Sequence, residues 1–366
     1  MAHLTEPVPS PHERPVFARV EGQAVYAAYS AGVLGAVVGL IIGLTDASLP
    51  LSGNSSFGTL IALFAAAAAA VVSATGYWRS RTAPGQEWRL ALSPVRFGVN
   101  AVSVVIVHTV LAVLATLVLF VVLGRAFIGL PVQPFWSTVL SAVVLGLVAY
   151  LVFLSVARMT TQRMSSLLMV FIVLGSLTAM VTTPDPRWWL VHFSHLGTFD
   201  DISSVVFNGT LIAGGLLVTT FAVYLANDMR ALGDAFLHPR AVPVVSTMFV
   251  IMGVMLAGVG VFPVDDHLLL HNLSAMGLAV VYIGLLAAGP RVLRGMPRAY
   301  FLASWGFLAS VIVSLVLFIV GYFGLTAFEI IVFALIFGWI AVFIRFLGVT
   351  ASGVGETKSP SPRSVQ

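Results

Sequence analysis

Ten separate runs of about twenty apolar residues, distributed along the whole chain, leave no stretch from which a water-soluble domain could be assembled. They cover residues 27–44, 57–76, 100–122, 135–156, 165–181, 205–225, 244–261, 268–289, 300–320 and 325–346. A helical run of this length matches the hydrocarbon thickness of a bilayer, and a helix satisfies its own backbone hydrogen bonds where water is absent. The fold class expected is therefore all-α, a polytopic transmembrane helix bundle of ten spans. Only 9% of the 366 residues are charged, against roughly 25% in ordinary globular proteins, so nearly all of the chain must face lipid or other helices.

The content of the chain excludes several chemistries. With no cysteine, disulfides, thiolate metal sites, iron–sulfur clusters and cysteine nucleophiles are ruled out. No phosphate-binding loop or nucleotide fingerprint is present, which removes ATP-driven pumping by this chain alone. A pI near 9.7 would suit a nucleic-acid partner, but the placement of the 18 Lys and Arg residues gives them a topological role instead. With the amino terminus inside, Arg14, Arg19, Arg79, Arg81, Arg89, Arg96, Arg158, Arg163, Arg230, Arg240, Arg291, Arg294, Arg298, Arg345, Lys358 and Arg363 all fall on the cytoplasmic side, and only Arg125 and Arg187 fall outside. Both termini are therefore expected in the cytoplasm, and the expected location is a bacterial cytoplasmic membrane. The first 26 residues lack the pattern of a removable signal peptide, so the first span is expected to stay as an anchor.

Four segments follow from this reading: 1–26 as a cytoplasmic N-terminal segment, 27–164 as a four-helix membrane unit, 165–348 as a six-helix membrane unit, and 349–366, rich in Ser, Pro and Gly, as a disordered cytoplasmic tail. Gly32, Gly35, Gly39 and Gly43 line one side of the first span and predict close approach by a neighbouring helix.

Ionisable groups that serve neither topology nor tails collect at the outer ends of the second unit. The loop after the fifth span carries Asp185, Arg187, His192, His195, Asp200 and Asp201, and the loop after the seventh carries Asp265, Asp266 and His267, leading to His271. Glu329 joins them from the start of the tenth span. These residues admit three readings: helix capping and hydration, a polar substrate or proton site, or a metal held by His267 and His271 at i, i+4 spacing. The segment Arg187-Trp188-Trp189-Leu190 reads as an interfacial anchor or as a lid over an outward-facing cavity. His108, inside the third span, reads as a hydrogen-bonding link to a neighbouring helix or as a proton relay.

Ser194-His195-Leu196-Gly197, then Phe207-Asn208-Gly209-Thr210-Leu211, then Gly260-Val261-Phe262-Pro263 with His267 and His271, resembles the bacterial membrane family catalogued as domain of unknown function 998. The resemblance covers residues 165–346 and implies a six-helix unit. A more distant likeness runs to eukaryotic six-helix proteins of the autophagy-modulator and glycosylphosphatidylinositol-lipid-remodelling type, and implies lipid-related work by analogy.

The function expected is binding or movement of a lipid or small amphiphile through an outward-facing polar pocket formed by Ser194, His195, Asn208, Asp265, Asp266, His267 and His271, without a cofactor. Asn208 and His271 are expected to meet across adjoining helices, and His271 to find its partner in Asn208, Ser194 or an Asp of the loop after the fifth span. Two alternatives stay open: an intramembrane metal-dependent lipid hydrolase or remodelling enzyme, and a non-catalytic subunit or scaffold of an envelope complex. The expected partners are membrane lipids, with a homo-oligomer or an envelope-complex protein left open.

Overall fold

The computed structural model describes residues 14–46, 48–53, 55–130, 132–198, 200–233 and 238–358. Its helices are α1 (Arg14–Thr45), α2 (Phe57–Ser80), α3 (Pro94–Ala126), α4 (Pro134–Ala157), α5 (Thr161–Thr182), α6 (Ile202–Leu232), α7 (Ala241–Val261), α8 (Leu268–Val292), α9 (Arg298–Ile319) and α10 (Leu325–Lys358). Ten of these are long and apolar enough to cross a membrane, and no strand occurs among the described residues. The chain is an integral, multi-pass membrane protein.

Several helices outrun the apolar windows that reveal them, because polar residues cap and extend their ends. Thr160 Oγ1 accepts from the Arg163 amide and starts α5 four residues before the run at 165–181. Asp201 does the same for the Ser204 amide and starts α6 at Ile202. At the other end α6 continues past residue 225 through Asn227, Asp228 and Arg230, with the Thr161 hydroxyl donating to Asp228. The segment placed at 1–26 already contains the first turns of α1, and α10 runs on to Lys358, past the start of the tail placed at 349. Residues 1–13 and 359–366 lie outside the described residues.

The chain divides into two compact units, Met1–Met159 and Thr160–Gln366. In the first, α1 lies along α4. A β-carbon on Gly35 would stand 2.5 Å from the Ser141 carbonyl oxygen, and one on Gly39 or Gly43 would overlap Ser137. The glycine stripe is thus the near wall of a helix contact whose far wall is Ser137 and Ser141, small residues on α4 that let the backbones close in. Glu21 on α1 ties down the end of α4, accepting from Arg158 at 2.7 Å and from the Tyr150 hydroxyl at 3.0 Å. His108 joins α3 to α4: its Nδ1 faces the Val104 carbonyl oxygen at 2.8 Å and its Nε2 faces Ser155 Oγ at 2.9 Å. Both ring nitrogens are therefore used in helix contacts.

In the second unit α6 is the central helix. Gly215 and Gly253 pack backbone to backbone between α6 and α7, where a β-carbon on Gly253 would lie 2.6 Å from the Gly215 carbonyl oxygen. On the opposite side Gly175 of α5 makes room for Thr210. The core is aromatic. Phe221, Phe249, Trp339 and Phe343 are fully buried; Trp339 and Phe343 stack at 5.4 Å between centroids, with Phe249 stacked beyond at 6.3 Å from Trp339. The polar atoms of the aromatic residues are satisfied locally, Trp339 Nε1 by Ser304 Oγ at 3.2 Å and the Tyr282 hydroxyl by the Leu335 carbonyl at 3.2 Å.

Candidate functional site

The loop joining α5 to α6 does not trail over the surface. Two short 3₁₀ turns, Trp188–Leu190 and Phe193–Gly197, fold it back onto the helix ends. The second turn buries Phe193, Leu196 and Gly197, with the Phe193 ring packed edge-on against Phe207 of α6 at 5.1 Å and against Phe333 of α10 at 6.0 Å. The first turn leaves Trp189 and Leu190 exposed, as suits a segment at a headgroup layer.

Polar side chains from three helices hold this turn. From α6, Ser203 Oγ donates to the Leu196 carbonyl at 3.1 Å, Ser204 Oγ to the Gly197 carbonyl at 2.9 Å, and Asn208 Nδ2 to the same carbonyl at 2.9 Å. From α10, a Glu329 carboxylate oxygen accepts the Phe193 amide at 2.5 Å. From α8, His271, only 4% exposed, holds two partners. Its Nδ1 faces the Phe262 carbonyl oxygen at 2.8 Å; a carbonyl only accepts, so this nitrogen carries the proton of the neutral ring. Nε2 is then the acceptor for the Ser194 hydroxyl at 3.0 Å. One imidazole so joins the turn before α8 to the loop before α6.

Three titratable side chains of the same loop, Asp185, His192 and His195, gather beside this centre. His195 pairs with Asp185 at 3.4 Å within the loop and stacks edge-on against His192 at 5.6 Å. Burial lowers the His192 pKa below the ordinary 6.5, and the neighbouring His195 and His271 push it the same way, against a smaller opposing effect of Asp265. The α5–α6 loop therefore lies close enough to Asp265 and His271 for both to bear on His192.

Two placements differ from the sequence expectation. Asn208 does not meet His271; it is spent on Gly197 and on Ser204 Oγ at 3.3 Å. The reason is the packing order, in which α7 lies along both α6 and α8. Of the three partners expected for His271, Ser194 is the one it bonds. Asp265 and Asp266 are exposed and lie in the turn ahead of α8, whose N-cap is His267 with no side-chain cap bond, so neither acid caps that helix. Gly197 has no left-handed backbone; its value is space, since a β-carbon there would stand 3.0 Å from the Phe207 ring and closer still to Asn208.

The same geometry argues against the metal alternative. His267 is exposed, both nitrogens of His271 are occupied, and among the described residues no group of three or more His, Asp or Glu is arranged to hold an ion. Sequence reading also passed over Ser203, Ser204 and Phe193. A Ser pair starting two residues after a capping Asp was the available signal for the first two, whereas nothing in the pattern marks Phe193 as a buried wedge.

No family model, no curated protein and no solved structure matches this chain.

Proposed function

We propose that the protein binds or moves a lipid or small amphiphile, and that the α5–α6 loop is the lid of its polar site in the second unit. The observation that carries this reading is the manner in which the loop is held: α6, α8 and α10 each contribute side-chain bonds to one five-residue turn, while its neighbouring turn presents Trp189 and Leu190 outward. A lid fixed by a few neutral or single-charge hydrogen bonds is fixed by a few kcal/mol, an amount that an incoming polar headgroup can replace by bonding the same donors and acceptors. The more distant likeness of this region to eukaryotic six-helix proteins of the autophagy-modulator and glycosylphosphatidylinositol-lipid-remodelling type suits lipid-related work by analogy and forms part of the proposal.

The orientation proposed puts both termini in the cytoplasm and this lid outside, on the strength of the Arg distribution. Single cysteines in this cysteine-free chain test it: a thiol reagent that cannot cross the membrane should label a cysteine at Asp185 and spare one at Arg294, both on loops. Leu293 next to it is buried and would report nothing. Asn54, the matching outer position of the first unit, lies outside the described residues. The function itself is tested by lipid mass spectrometry of membranes with and without the protein, together with the His271→Ala variant. A normal lipid profile and normal phenotype at normal abundance in that variant refute the lid-site reading.

The Ser194–His271 pair favours a second reading, an enzyme that needs no metal. A hydroxyl donating to an imidazole whose other nitrogen is fixed by a carbonyl is the arrangement of an activated nucleophile. In an ester substrate, Ser194 Oγ would attack the acyl carbon, His271 Nε2 would take the hydroxyl proton, and the departing alcohol would receive it. The identical arrangement of His108 and Ser155 at a helix contact shows that such a pair also serves plain packing. A fluorophosphonate probe separates the two: covalent labelling that disappears in Ser194→Ala supports the enzyme, and absence of labelling leaves the pair as a latch.

A further inference from the structure

The first unit holds a cavity of about 530 Å³ formed where α1 begins and where α2 and α4 end. Its size falls in the roughly 300–1,000 Å³ range of small-molecule sites. The polar side of its wall carries Arg19 and Gln23 from α1 and Arg79, Ser80 and Arg81 from the end of α2, while Val20, Gly76, Phe153 and Ala157 make an apolar side. The lining holds no Asp or Glu, and among the described residues none of the three guanidinium groups has a carboxylate within ion-pair distance. Arg81 is positioned by stacking on Trp78, 3.8 Å above the ring. Behind the wall a further cation, Arg89, is buried to 1% exposure; it donates to Ser80 Oγ at 2.8 Å and lies over Tyr77. A positive-inside signal requires only that cations lie near a span end in water. It does not require three of them to face one cavity with an apolar wall and a fourth to be buried beside it.

We infer that this cavity is a binding site for a phosphate-bearing anionic headgroup, with the apolar wall receiving the first methylenes of the attached chains. Guanidinium groups present paired N–H donors that match two phosphate oxygens at once, and Gln23 and Ser80 can add neutral hydrogen bonds. An anion entering such a site meets Arg81, half-buried and held over Trp78, while the exposed Arg19 and Arg79 reach it from the rim. The inference is independent of the lid in the second unit. Free phosphate shares the headgroup chemistry but has nothing to place against Val20, Phe153 and Ala157.

The test uses the purified full chain, delipidated, offered dioleoylphosphatidylglycerol, dioleoylphosphatidylcholine or inorganic phosphate, with bound ligand counted by native mass spectrometry. Phosphatidylglycerol should be retained in preference to phosphatidylcholine, and Arg19→Gln/Arg79→Gln/Arg81→Gln should weaken that retention at least about tenfold. Because losing three cations can disturb insertion, Arg19→Lys/Arg79→Lys/Arg81→Lys is made beside it: this variant keeps the topology charge, loses the paired donors, and should weaken retention as well. Replacing Arg291, Arg294 and Arg298 by Gln, in the α8–α9 segment, should change retention little. Unchanged retention in both the Gln and the Lys variants overturns the site. Retention of inorganic phosphate with indifference to phosphatidylglycerol overturns its assignment to a lipid.

Discussion

Replacing His271 by Ala should loosen the α5–α6 loop by an amount that the structure allows to be estimated. The imidazole makes two hydrogen bonds, to the Phe262 carbonyl and the Ser194 hydroxyl, and is 4% exposed. A neutral hydrogen bond contributes about 1 kcal/mol net, so the pair is worth about 2 kcal/mol, which corresponds to about a 30-fold change in an opening equilibrium. The absence of cysteine makes this measurable. Leu196 is 0% exposed at the centre of the seated turn, and a cysteine placed there reacts with a soluble thiol reagent only when the turn lifts. In that background His271→Ala should raise the labelling rate about 30-fold, and Ser194→Ala, which removes one of the two bonds, about fivefold. Combining them should add almost nothing to His271→Ala, because the Ser194 bond is lost in both, which gives a coupling of about 1 kcal/mol. Equal labelling rates in parent and His271→Ala, or fully additive effects in the double variant, would refute the idea that this histidine latches the loop.

Acid should loosen the same loop. His192 has a folded-state pKa depressed below 6.5 by burial and by His195 and His271, so the unfolded or lifted state binds the proton more tightly; the stabilising contribution is present above 6.5 and is lost as pH falls below it toward the folded value. Expressed relative to a free thiol labelled at the same pH, which removes the fall in thiolate fraction, labelling of the Leu196 cysteine should therefore speed up on going from pH 7 to pH 5, with a smaller pH effect in His192→Gln. Gly39→Leu should split α1 from α4, since even a β-carbon at Gly39 overlaps Ser137. A loss of about 1–3 kcal/mol, or failure to assemble, is expected in a thermal unfolding assay of the purified protein, whereas Gly22→Leu, with open space around its β-carbon position, should be tolerated. Trp339→Ala removes the largest fully buried side chain among the described residues and should lower stability by about 3–5 kcal/mol, with Trp339→Phe costing far less because the stack with Phe343 survives.

What the sequence made legible follows from what a bilayer demands. Lipid imposes apolar character on every exposed face, so all ten spans stand out as runs, and none of α1 to α10 was hidden. Helix ends were less visible, because water and headgroups make no such demand: the polar last turns of α6 and the extension of α10 to Lys358 carry no apolar signature. The glycine stripe of α1 announced a close neighbour without naming it, since Ser137 and Ser141 on α4 look like ordinary span residues. The polar cluster showed the same division. That His271 needs a partner was a matter of depth and chemistry, but Ser194 stands 77 residues away, and choosing it over Asn208 required knowing that α7 runs beside α6 and α8. The first unit's Arg-lined cavity was read only as topology charge, because a one-dimensional sequence separates Arg19 from Arg79 by two turns of chain through the membrane.

The central place of α6 has a consequence for how the protein is made. About 72% of its membrane-crossing stretch is buried by other helices, against 17% for α9, and the helix uses that cover to carry the buried hydroxyls of Thr210 and Thr220. During synthesis those groups reach the bilayer before α7 and α10 have been translated, when only earlier helices are available to shield them. α5, whose Gly175 accommodates Thr210 and whose Thr161 bonds Asp228, is the partner at hand. Release of α6 into lipid is thus tied to α5 having arrived first, and α7 completes the cover through Gly253. The order of the chain thus matches the order in which α6 gains its cover, with α5 before it and α7 directly after.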